Sequence, residues 1–281
     1  MDSDSIRAFS KTENNSVTFP AKFPLLSVSL TDGSFPVLCS GYNSTSTIKD
    51  NIFQGKVLFC TGGGSGLCKG MTEAIEVRLV SCPRPWTFLY MFFVICGAAG
   101  NFIPPIAGLS ENAFETVIEI HTLGTYNTVK ATISHIRKTK GAYIHVSATL
   151  HYRGTPYQIH VSTAKAGVDA ISNVVAVEED PHGVRSNVIA PGFTSGTEGM
   201  RVMSGNKTNK AEGFSNPLGP FIEIPDVANA AVFLFSPAAC YITGQVIPID
   251  GGAEHLRGNF FPYPSPVLDP SSISKLFKGK M

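Results

Sequence analysis

From Asn51 onward, short apolar runs alternate with longer segments of helical period, and glycine or proline marks most of the junctions. The runs predict strands over 56–60, 92–96, 143–146, 184–190 and 246–249. Helices are predicted near 68–77 and over 112–138, 163–177 and 226–235. Within 112–138 the apolar positions Phe114, Val117, Ile118 and Ile120 carry the helical stripe. Ser162 is the candidate N-cap of the 163–177 helix, and Ser110, just before Glu111, is another. Strands that alternate with helices through glycine-rich turns specify an α/β fold, a doubly wound parallel sheet.

Two glycine-containing segments stand too close for a full sheet of this kind. Val57 to Gly66 reads as a strand running into a Thr61-Gly-Gly-Gly-Ser-Gly66 turn, and Cys96-Gly-Ala-Ala-Gly-Asn101 as the end of a later strand. A βαβ unit takes about 30 residues, so the strands and helices expected between them do not fit. The sheet is therefore expected to lack two strands. Arg78–Pro85, with two prolines and no period, is expected to be irregular. Three regions follow: an irregular or disordered extension over 1–50, rich in Ser, Thr and Asn; a nucleotide-binding type of domain over 51–258, incomplete around 78–91; and a tail over 259–281.

Composition narrows the picture. The 281 residues suffice for one large domain, and a net charge of +1 gives no reason to expect nucleic acid as partner. The six cysteines are scattered without metal-ligand spacing, so no metal and a reducing compartment are expected. The first twenty residues lack the apolar core of a signal peptide. Trp86 to Ala99 is too short for a helix that spans a membrane, so no span is expected. The sequons at Asn14 and Asn43 read as chance matches.

Candidate chemistry sits in the turns. Glycines let a backbone approach a pyrophosphate, and the following helix N-terminus offers N–H donors and a favourable dipole; tight turns alone also require glycine. Lys165, flanked by Ala164, Ala166 and Gly167, stands where little side chain competes for space. His145, His151 and His160 are not at metal spacing and read as structural or surface residues.

Six segments in order resemble the short-chain dehydrogenase/reductase superfamily: Thr61–Gly66, Ala98–Asn101, Ser147–Thr149, the run around Lys165, Arg185–Gly192, and Tyr241–Gly244 with Asp250–Gly252. Gly97–Phe102, Ser147–Tyr152 and Pro191–Gly199 are similar, more closely, to the peroxisomal 2,4-dienoyl-CoA reductases of the fungal kind. The resemblance covers roughly 51–77 and 95–258. It implies NADPH-dependent reduction of a 2,4-dienoyl-CoA to a 3-enoyl-CoA in unsaturated fatty acid oxidation, in a homo-oligomer. It also implies that Gly62, Gly63, Gly64, Ser65, Gly66 and Leu67 cradle the pyrophosphate, and that Ala99 and Gly100 lie beside the adenosine. Lys165 would hold the nicotinamide ribose, and Pro191, Gly192, Phe193, Thr194, Ser195, Gly196 and Thr197 would cover the nicotinamide.

On the same basis Phe102, Ser110, Glu111 and Asn112 match positions lining the acyl-CoA site, each with a turn or helix cap as the alternative. Arg201 is either a contact to a CoA phosphate or an ordinary surface arginine. The superfamily's tyrosine and serine fall at Val161 and Ala148, as they do in dienoyl-CoA reductases, where protonation runs through a water. His121 occupies the position of the aspartate that holds this water; it is either a proton-handling group or a satisfied buried histidine. Ser274-Lys-Leu276 is the peroxisomal tripeptide in an internal position. Two alternatives stand beside the reductase: an inactive remnant that keeps a binding or oligomer surface, and another reductase of acyl thioesters.

Overall fold

The computed structural model describes residues 52–76, 91–204, 217–218 and 221–255. The 1–50 extension, the irregular 78–85 segment, the tripeptide and the tail lie outside the described residues.

Five parallel strands form one sheet in the order of their appearance: β1 (Val57–Thr61), β2 (Met91–Cys96), β3 (Ala142–Val146), β4 (Arg185–Pro191) and β5 (Val246–Ile249). Helices α1 (Gly66–Glu76) and α6 (Ile224–Phe235) pack against one face, where Met71, Ile75, Val227 and Ala231 meet Phe93, Ile95 and Ile144. The other face carries α2 (Glu111–Ile118), α3 (Gly124–Thr139) and α4 (Ile159–Glu179), with Ile136 against Met91, Val94 and Tyr143. A short α5 (Glu198–Ser204) follows β4.

These faces explain the expected gap. β3–α4–β4 and β4–α6–β5 step the same way along the sheet with their helices on opposite faces, so the two crossovers have opposite hand, against a strong general rule. α1 shares the face of α6. A crossover through α1 with the hand of β3–α4–β4 would lead to a strand beyond the free edge of β1. Among the described residues nothing pairs with that edge, where Phe59 is exposed. The two strands expected to be lacking belong there.

Other expectations shift by a few residues. The helix read over 112–138 is split by a π-helical turn at Glu119–Leu123. The turn rotates Ile120 out of the apolar stripe to 38% exposure while Val117 stays buried. Ser162 does not cap α4: the helix starts at Ile159, and the Ser162 N–H already donates to the Gln158 carbonyl at 2.8 Å. Ser110 does cap α2, accepting from the Ala113 N–H at 3.2 Å. Cys60, Cys68 and Cys96 are free thiols, whereas Cys240 is disulfide-bonded.

A bulge fixes the register of the β1–β2 pair. Val57 pairs with Met91 but Leu58 pairs with Phe93, so Phe92 is an extra residue and Met91 faces the same helical layer as Val94. The displaced Phe92 carbonyl presses on Gly141, where an added Cβ would lie 2.2 Å from that oxygen. Because the obstacle is backbone, Gly141→Ala is expected to destabilise the fold by about 2 kcal/mol. Urea unfolding of the purified variant measures it, and an unchanged midpoint would contradict the packing described.

Candidate active site

The strand ends converge. Thr61 is level with Cys96, Cys96 with His145, Val146 with Ile189, and Pro191 with Ile249, so the turns leaving the carboxyl ends surround one volume. A cavity of about 320 Å³ lies there. Its walls come from the β1–α1 turn, the segment after β2, the π-helical turn, the Ser147–Leu150 segment, α4 and the Pro191–Thr194 loop.

The two crowded glycine motifs meet backbone to backbone. Thr61 Oγ1 accepts from the N–H groups of Gly97 at 3.0 Å and Ala98 at 3.4 Å. Gly62 has φ +77°, and a Cβ on it would stand 3.1 Å from the Gly97 carbonyl and the Ala98 backbone. Gly66 opens α1, an 11-residue helix whose first N–H groups have no intrahelical acceptors. Gly62, Ser65, Gly66 and Leu67 line the cavity, whereas Gly63 and Gly64 do not. This donor set fits a phosphate.

Lys165 lies in the wall, 5% exposed, and its Nζ donates to the Val146 carbonyl at 2.6 Å. Burial pushes its pKa down to about 8, while the Asp169 carboxylate acts in the opposite direction. Asp169 follows one turn later on α4 and binds His151, with Oδ2 2.7 Å from Nε2.

His121 projects from the π-helical turn. Its Nε2 is 2.8 Å from the Gly100 carbonyl and 3.1 Å from the Gly100 N–H. The two contacts belong to alternative tautomers, Nε2–H donating to the Gly100 carbonyl or Nε2 accepting from the Gly100 N–H, and Nδ1 is buried without a partner. Burial, and secondarily Lys165, hold its pKa down at about 4, so the ring is neutral at physiological pH. Asn101 donates from Nδ2 to Gln158 Oε1 at 2.9 Å, and its Oδ1 is likewise buried and unpartnered.

Ala99, Gly100, Pro191, Gly192, Phe193, Thr194 and Thr197 also line the cavity. Ser195 and Gly196 do not; Ser195 Oγ donates to Glu223 Oε2 at 2.6 Å. Phe102, Ser110, Glu111 and Asn112 lie outside this wall. Phe102 covers the His160 ring at 4.5 Å, and the Asn112 carbonyl accepts from Thr116 Oγ1 at 2.7 Å. Arg201 is exposed and paired with Glu198. Val161 and Ala148 both line the cavity, so those two positions bring no hydroxyl to it. Sequence reasoning did not identify Leu150, Met200 or the Asp169–His151 pair; only the four-residue spacing from Lys165 to Asp169 signals part of it.

A family model described as enoyl-(acyl carrier protein) reductase matches residues 84–254. A peroxisomal 2,4-dienoyl-CoA reductase of Saccharomyces cerevisiae is 36% identical over 279 positions, covering 83% of this chain and 94% of that protein. Since 83% of 281 residues is about 233, some 46 of those 279 positions are gaps in this chain. The corresponding enzyme of Danio rerio is 46% identical over 169 residues, 59% of this chain but 56% of that protein. Among solved structures, a gluconate 5-dehydrogenase of Burkholderia cenocepacia with NADP and tartrate superposes with a TM-score of 0.65 at 15% identity, covering 74% of this chain and 99% of that one. A levodione reductase gives 0.64 at 22% identity, covering 73% and 100%. At these identities the two structures speak to the fold.

His121 and the fully buried His145 both titrate at about 4, chiefly through burial, against an ordinary 6.5. The unfolded chain therefore takes up these protons first, and stability is full above 6.5 and lost as pH falls toward 4. Urea unfolding across that range is expected to show the slope. His121→Gln should reduce it by one proton, about 1.4 kcal/mol per pH unit; an unaltered slope would place the His121 ring in contact with solvent.

Proposed function

The chain belongs to the short-chain dehydrogenase/reductase family, and we propose that it catalyses the NADPH-dependent reduction of a 2,4-dienoyl-CoA to a 3-enoyl-CoA in unsaturated fatty acid oxidation. One observation carries this reading. The phosphate-type turn, a buried lysine and the Pro-Gly loop line the same cavity, and the two positions where a tyrosine-type reductase keeps its hydroxyls are Val161 and Ala148.

The α1 N-terminus and its turn hold the pyrophosphate, and Lys165 holds the nicotinamide ribose. Pro191 to Thr194 cover the ring. Bound there, the nicotinamide supplies hydride. The chain's own task is to accommodate the negative charge that appears on the thioester side and to deliver a proton. Lys165, desolvated and cationic below about pH 8, supplies the compensating charge. Asn101 Oδ1 and His121 Nδ1 are unpartnered and belong to residues of the same cavity; a water held by one of them would keep an O–H free to donate. The acyl chain takes the side of Phe102 and α2, with Arg201 toward the CoA phosphates.

Exposed apolar residues on one helical pair, Tyr126 on α3 with Val174 and Val177 on α4, support a homo-oligomer. The names of the similar yeast and fish enzymes support a peroxisomal location. A second reading, a remnant that keeps the fold without turnover, is favoured by the edge of β1, unpaired among the described residues, and by the aligned positions absent from this chain.

NADPH titration followed by fluorescence separates the two. The reductase binds NADPH and loses NADPH absorbance with a dienoyl-CoA but not with a 3-oxoacyl-CoA; no binding at millimolar cofactor leaves the remnant. Lys165→Met is expected to weaken NADPH binding about 10- to 100-fold, the worth of a charged hydrogen bond.

A further inference from the structure

A buried polar pair follows Lys165 one helical turn further along α4. Asp169 is one helical turn beyond Lys165 on α4, and its side chain is 13% exposed. Its Oδ2 contacts His151 Nε2 at 2.7 Å, and the His151 side chain is 12% exposed. Asp169 Oδ1 and His151 Nδ1 are buried without partners. His151 stands at the wall of a second cavity, about 490 Å³, which shares no lining residue with the first. The ring packs edge-on against Tyr152 at 4.4 Å, which fixes its plane.

Every element around the Lys165 ammonium can be named. β3 offers the Val146 carbonyl, the π-helical turn the His121 ring, and α1 the Cys68 thiol. His121 is neutral at physiological pH. Cys68 is held as a neutral thiol by its hydrogen bond with Cys60 and by burial. Asp169 is then the anionic group acting on Lys165. Around Asp169 stand His151, His145 from β3 and Tyr152.

We propose that Asp169 and His151 are positioning residues for Lys165: the carboxylate keeps the buried ammonium charged, and His151 fixes the carboxylate rotamer that does so. Because His151 opens on the second cavity, this control is reached from solvent independently of the space that the cofactor would fill. The proposal deepens the reductase reading, in which a cationic Lys165 holds the cofactor, yet its first test needs neither cofactor nor substrate.

That test is the pH titration of the Lys165 side chain, followed through its ¹³Cε resonance in the full-length protein. The wild-type midpoint is expected at about 8. Asp169→Asn should lower it by about one pH unit, since it removes the opposite charge one helical turn away that favours the ammonium. His151→Phe should lower it in the same direction by releasing the carboxylate, and His151→Gln, which keeps a donor, should restore it. A rescue by glutamine would not arise if the histidine were merely packing. An unchanged midpoint in folded Asp169→Asn overturns the proposal. Should that variant not fold, equal midpoints in His151→Phe and wild type overturn it instead. If the wild type binds NADPH, binding by Asp169→Asn should fade at a pH about one unit lower than in the parent. Failure to bind NADPH with the titration shifts intact would sink the reductase reading and leave this one standing.

Discussion

The whole site depends on how an ammonium is kept inside the protein. A lysine withdrawn from water needs a hydrogen-bond acceptor and a nearby anion, or it gives up its proton. Lys165 finds the acceptor in the last carbonyl of β3, at 2.6 Å. That carbonyl is available because the ladder ends there: the next N–H, of Ser147, goes to Ile189 at 2.8 Å while the chain turns away. One hydrogen bond thus ties the rotation of α4 to the end of the central strand. Around that fixed point the phosphate turn, the Pro-Gly loop and the π-helical turn take their distances.

The π-helical turn is the second element that sets the site. Inserting one residue into the helical ladder rotates the segment before it relative to α3, which moves Ile120 outward and brings His121 against Gly100. His121 then serves as a strut between the helix and the backbone beyond β2. Burial keeps that imidazole neutral, so it brings no charge of its own to the cavity.

Much of this was legible in the sequence because it is local. The strands fall within one or two residues of their expected bounds, since short apolar runs flanked by glycine leave little choice. Lys165 and the Gly62–Leu67 turn were found through their immediate neighbours. What escaped depends on distant partners or on a single inserted residue. Nothing in the apolar stripe from Phe114 to Ile120 announces a π-helical turn, and Ser162 resembles an N-cap only while Gln158 is ignored. Gly141 gives no sign that a bulge at Phe92 will press on it. The contact between His151 and Asp169 joins residues 18 apart across a turn whose shape no local rule specifies.

The strand order among the described residues also bears on how the sheet is assembled. In a sheet with a reversal of order, the strand made first lies in the centre and must await a second partner made several elements later. Here each strand pairs with the one made immediately before it, from β1 to β5. Every ladder closes over the shortest loop the topology allows, so the entropic cost of bringing partners together is kept low at each step. Among the described residues the sheet thereby grows in the direction of synthesis, with a margin that advances from β1 to β5 as the chain is made.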